Sequence, residues 1–215
     1  DRTTYGLIGY LESYELFEEN SFGYSMTDML TMGMKGDFGL LTLPALSALP
    51  FAAQALHEIK SGAIRPAVFR TGRKNWIIGK VAGCVISGML LQGAAVGLLF
   101  LILNGLMRGY AGQWFPWGDG GDFWPMLLRR MLCGGIWAGV GCIIALATET
   151  ASAANLAPLC LCYALMMIGT RFFPDVAMLN PMQWVNGAAW LLVVLLIITI
   201  ALQALFLKRG VQRYA

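Results

Sequence analysis

His57 is the one histidine of the chain, so no second imidazole is available to share a metal, and a histidine acting as a general base needs a positioned partner. It stands at the end of an apolar run, where an interfacial side chain is the expectation. The five cysteines, Cys84, Cys133, Cys142, Cys160 and Cys162, all fall inside apolar runs without Cys-x-x-Cys spacing, and they read as small buried packing residues. Glu18-Glu19 is the kind of carboxylate pair an intramembrane protease uses, but nothing completes a metal site with it. Asp119-Gly120-Gly121-Asp122 offers a cation two carboxylates, far short of a calcium loop, and fits a turn. No Gly-x-x-x-x-Gly-Lys-Ser/Thr phosphate loop occurs. The chain reads as having no catalytic constellation, cofactor or metal of its own, and if it uses ATP energy, another subunit supplies it.

What stands out instead is the stretch from His57 to Lys80, HEIKSGAIRPAVFRTGRKNWIIGK, a basic hydrophilic segment between two apolar runs. It is the best candidate for contact with a soluble partner. Its setting is a chain with 58% hydrophobic and 13% charged residues and a mean hydropathy of +0.64. Soluble domains carry about 25% charged residues, so the composition identifies an integral membrane protein. Five continuous runs read as membrane-spanning helices: Phe38 to Leu56, Trp76 to Leu103, Met126 to Ala147, Ala154 to Phe172 and Asn186 to Leu207. Barrel strands would alternate apolar and polar residues, which these runs do not. The expected fold is therefore all-α and polytopic, with residues 1–37 outside the cytoplasm, a transmembrane domain over 38–207 and a tail at 208–215.

Basic residues orient the spans. Lys60, Arg65, Arg70, Arg73, Lys74 and Lys80 oppose the single acid Glu58, and Lys208, Arg209 and Arg213 follow the last run without any acid. Both regions are expected in the cytoplasm. A multi-pass chain of this kind is expected in a plasma membrane. The formal charge of +3 sits mostly at the ends of apolar runs, which points to membrane orientation and away from nucleic acid. Arg129 and Arg130, at the outer end of the third run, are expected to snorkel to headgroups. An inward-running first span puts Asp1 outside, so we expect an upstream segment before it, a further helix or a removed signal sequence. In the outer segment Leu7, Leu11 and Tyr14 recur at helical spacing, and Ser25-x-x-Asp28 precedes Met29, Leu30 and Met34 as a capping box would, predicting two short interfacial helices.

Within the spans Gly79-x-x-x-Gly83, Gly93-x-x-x-Gly97 and Gly135-x-x-x-Gly139 suit close helix packing, inside the chain or between copies. Trp76, Trp114, Trp117, Trp124, Phe172, Phe173 and Trp184 fall at run boundaries, the expected place for interfacial aromatics, while Trp137 and Trp190 read as packing. Pro44, Pro50 and Pro158 can kink their helices. Polar groups inside the runs are few, chiefly Gln92, Asn155 and Gln203, and the chain of titratable groups needed for proton or ion coupling is missing.

Glu58-x-x-x-Gly62, then the basic amphipathic stretch Ile64 to Lys74, then Trp76-Ile77-Ile78-Gly79-Lys80 opening the next span, resembles the permease subunits of ABC transporters of the ABC-2 type. The hairpin turning at Glu149, Asn180-Pro181 before the last span and the basic tail agree in layout. The resemblance implies a place in the bacterial cytoplasmic membrane, six spans with the first one upstream, an export function, a second permease chain as a homo- or heterodimer partner, and cytoplasmic ATP-binding subunits holding ATP and Mg. It also implies that the segment couples to those ATPases, with Ile64, Val68 and Phe69 as apolar anchors and Arg65, Arg70, Arg73 and Lys74 facing acidic residues or lipid. Glu58, Gly62, Gly79 and Lys80 are its motif positions. The alternatives are a structural or assembly membrane protein, or a membrane-embedded enzyme.

Overall fold

A computed structural model describes residues 26–35, 44, 46–49, 51–111, 123–173, 176, 181, 184 and 189–214. Among these the chain is all-α. Its helices are α1 (Met26–Lys35), α2 (Gln54–Lys60), α3 (Ile64–Thr71), α4 (Arg73–Ala111), α5 (Phe123–Thr148), α6 (Ala151–Phe172) and α7 (Ala189–Tyr214). The stretches Arg73–Gly105, Phe123–Thr148, Ala151–Phe172 and Ala189–Gln212 are long and apolar enough to cross a membrane, with mean hydropathies of 2.2, 1.9, 1.7 and 2.8. At 1.5 Å per residue even the shortest reaches about 33 Å, matching a hydrocarbon layer of about 30 Å. The protein is a multi-pass helical membrane protein. These four helices correspond to the last four predicted spans, with ends shifted by a few residues.

The first predicted span, 38–56, lies partly outside the described residues. Its described part is not one unbroken helix: Leu49 and residues 51–53 form a turn, with the Leu49 N–H bonded to the Leu46 carbonyl at 3.2 Å, and helix resumes at Gln54. Pro50 lacks the N–H that a continuous helix would need there. α1 matches the second of the predicted short helices, and Leu30 on it is completely buried, with Met26, in a cluster that includes Val96, Phe123, Trp137 and Leu192. It is thus packed on the bundle through this face. The helix predicted around Leu7, Leu11 and Tyr14, the Asp119 to Asp122 loop and Trp114 and Trp117 lie outside the described residues.

α5 forms the centre, packed on α4, α6 and α7. Of its most apolar stretch 56% is buried, against 17–22% for the other three. Small residues make this possible. A Cβ at Gly88 would lie 2.4 Å from the Gly134 carbonyl oxygen, and one at Gly134 would lie 2.4 Å from that of Gly88, so α4 and α5 cross backbone to backbone. A Cβ at Gly139 would meet Thr199 of α7 at 2.5 Å, and one at Gly141 the Ala154 carbonyl at 2.6 Å. The predicted glycine motifs are only partly used. Gly135 and Gly139 face neighbours and Gly93 touches Met131, but Gly79, Gly83 and Gly97 meet nothing within 4 Å.

Lipid offers no hydrogen bonds, so interior polar groups look for partners within the protein. The buried Gln92 Nε2 donates to Ser47 Oγ at 2.7 Å, tying the segment before α2 to α4, and Cys84 Sγ donates to the Ala138 carbonyl at 3.3 Å. All five cysteines are free, Cys160 exposed and the other four buried.

Several boundary residues turn inward, contrary to expectation. Arg130 is only 3% exposed and lies beside Cys133 and Cys162, so it does not snorkel outward. It stands about 10 Å along α5 from Phe123, and α5 is the helix that the others surround. Trp76 is buried in the core, and Trp184 stacks on Trp137 with centroids 5.6 Å apart, so both serve packing. Trp190 goes the other way and is 67% exposed. Trp124, Phe172 and Phe173 are exposed at helix ends as expected.

Candidate docking surface

Between α2 and α4 the chain makes two abrupt turns, each at a glycine. Gly62 has φ 76° and Gly72 has φ 79°, positive values at which a side chain is strained by about 1–3 kcal/mol. At the end of α2 the Ser61 N–H bonds to the His57 carbonyl and the Gly62 N–H to that of Ile59. At the end of α3 the Gly72 N–H bonds to the Val68 carbonyl at 2.9 Å. Glycine therefore ends both helices and re-aims the chain. Pro66 is accommodated in the first turn of α3, where no intrahelical N–H is needed.

α3 has two unlike faces. Ile64 is completely buried, in one core cluster with Ile59, Trp76, Leu207 and Val211, and Ala67 and Val68 pack against that cluster. Residues three and four apart share a helix face, which explains why these three go together. On the other side Arg65, Pro66, Phe69 and Arg70 are exposed, and Arg73 and Lys74 continue the exposed basic surface onto α4. Phe69 is 93% exposed. Of the three apolar residues expected to face a partner, Ile64 is enclosed by its own chain, Val68 is half-buried and Phe69 alone projects.

The base of this surface is clamped. Glu58 on α2 forms an ion pair with Lys80 on α4, the two side chains 24% and 23% exposed, and also accepts a hydrogen bond from Gln54 Nε2 at 3.3 Å. Lys60 Nζ donates to the Glu149 carbonyl in the turn between α5 and α6. Ile59 reaches α7, where a Cβ added to Gly210 would lie 3.1 Å from its Cδ1. Three successive residues of α2 thus reach α7, the α5–α6 turn and, through Glu58, α4. Glu58 and Lys80 were both singled out by the sequence; their pairing was not. Gly79 has open space around it, and His57 is exposed at the end of α2.

The surface contains no group arranged for bond chemistry: cations and one aromatic ring suit recognition of an acidic partner surface with an apolar socket. Among the described residues no cluster of His, Cys, Asp or Glu is grouped to hold a metal. Comparison of the chain with protein-family models, with curated proteins and with solved structures finds no match.

Proposed function

We propose that this chain is the membrane-spanning subunit of an ATP-driven exporter of the ABC-2 type, paired with a second permease chain. In this reading the α2–α3 segment is cytoplasmic and docks on a separate ATP-binding subunit, which holds ATP and Mg. The observation that carries the proposal is Phe69, 93% exposed among Arg65, Arg70, Arg73 and Lys74 on a helix whose opposite face is locked into the bundle. An exposed aromatic ringed by arginines is the composition of an interface hot spot, and topology alone accounts for the charges but not for the ring. The clamps supply the transmission. A push on α3 reaches α4 through Glu58–Lys80, the α5–α6 turn through Lys60, and α7 through Ile59. Closure of two ATPases would in this way become rigid-body motion of the spans.

Purification of a tagged chain from its native membrane tests the reading. An ATP-hydrolysing subunit accompanies the unaltered chain, and Phe69→Ser or Arg70→Glu releases it while membrane insertion is unchanged. A chain that never brings down such a subunit is not a permease of this kind, and a scaffold or assembly role takes its place.

A further inference from the structure

Beside the clamp lies a cleft of about 180 Å³, formed where α2, the α5–α6 turn and the end of α7 meet. Its polar lining is Lys60, Glu149 and Arg209; its apolar wall includes Leu56, Leu146 and Phe206. We propose that it is a binding site for the phosphodiester headgroup of a membrane phospholipid. This stands on the membrane-spanning character of the chain and not on the docking of an ATPase.

Depth is the first argument. Arg209 comes directly after the apolar run of α7 and next to Lys208, where the helix leaves the hydrocarbon layer and phosphates begin. The donors are the second. Lys60 uses one N–H on the Glu149 carbonyl and keeps two, while Arg209 is exposed and has no hydrogen bond or ion pair among the described residues, leaving its planar guanidinium for two parallel bonds to phosphate oxygens. Charge is the third. Lys60 and Arg209 against the Glu149 carboxylate leave the lining with one net positive charge, the complement of a phosphodiester's single negative charge. The apolar wall gives the lipid's first methylenes a place to lie. The cleft is too small to enclose the acyl chains, which continue along α7 into the bilayer.

The test uses the purified full chain, stripped of lipid in detergent and mixed in turn with dioleoyl phosphatidylglycerol, dioleoylglycerol and inorganic phosphate, with retention read by native mass spectrometry. Phosphatidylglycerol is retained by the unaltered protein and by Arg171→Ala, whose charge lies at the opposite end of α6 from the cleft. Arg209→Ala and Arg209→Glu lower that retention by at least about tenfold, since both charge-assisted hydrogen bonds are lost, and Arg209→Lys restores part of it. Arg209 is exposed and has no partner to lose among the described residues, so these variants are expected to fold, which their thermal unfolding checks. Retention unchanged in Arg209→Glu overturns the proposal. Equal retention of dioleoylglycerol, or displacement of phosphatidylglycerol by inorganic phosphate, overturns the assignment to a lipid phosphodiester.

Discussion

Breaking the Glu58–Lys80 pair isolates the clamp that ties α2 to α4 and that the proposed transmission would use. Two unit charges in contact attract by about 4 kcal/mol at an effective dielectric of about 20. Lost hydration and the ordering of two side chains offset most of this, and exposed pairs retain about 0.2–1 kcal/mol. With each side chain near one quarter exposed, and Gln54 holding the carboxylate from the other side, the pair belongs at the upper end, about 1 kcal/mol. Glu58→Gln and Lys80→Met are therefore each expected to destabilise by about 1–2 kcal/mol, and the double variant by about 1 kcal/mol less than their sum. In a chain of this size 1 kcal/mol corresponds to about 2–4 °C in Tm, measurable by thermal unfolding in detergent. The exchanged pair, Glu58→Lys with Lys80→Glu, recovers stability that either reversal alone loses. Effects of the two single changes that simply add would refute the reasoning, because the residues would then be uncoupled.

Gly134→Leu is expected to force α4 from α5 and to cost at least the ~1–3 kcal/mol of ordinary overpacking, since the Gly88 backbone as well as the Gln92 side chain stands in the way. Gly83→Leu and Gly97→Leu, where nothing lies within 4 Å, leave thermal stability of the isolated chain within about 0.5 kcal/mol. Gly62→Val and Gly72→Val each lose about 1–3 kcal/mol through the positive-φ backbone, whereas Gly79→Ala is neutral; unfolding curves for the three variants distinguish them. Ile64→Ala empties a wholly buried site and costs about 2–5 kcal/mol, while Phe69→Ser leaves stability unchanged because the ring touches almost nothing.

The spanning helices were legible because hydrophobic length is a one-dimensional signal, and α4 to α7 fall where the apolar runs place them. What stayed hidden depends on which faces meet. Glu58 and Lys80 are 22 residues apart on different helices, and no periodicity links them. Gly88 and Gly134 form the closest crossing without belonging to any predicted glycine motif, since a small residue reads the same whether it faces a backbone or lipid. Ile64 was expected to face a partner because an amphipathic helix of eight residues shows its apolar face without saying whose surface it meets. Trp76 and Trp184 were assigned to the interface by the same ambiguity: an aromatic at the end of an apolar run suits a headgroup layer and a core equally. Arg130 was misplaced because its charge outweighed its position on the most enclosed helix. Of the two turning glycines, Gly62 was named only as a motif position and Gly72 not at all, and their positive φ values required the backbone.

Cross-linking in native membranes tests the docking claim most directly. A photoreactive residue placed at position 69 is expected to capture an ATP-binding subunit, and the same group at position 64, enclosed by its own chain, to capture none. Capture of lipid alone from position 69, with no ATP-binding subunit attached, would contradict the account.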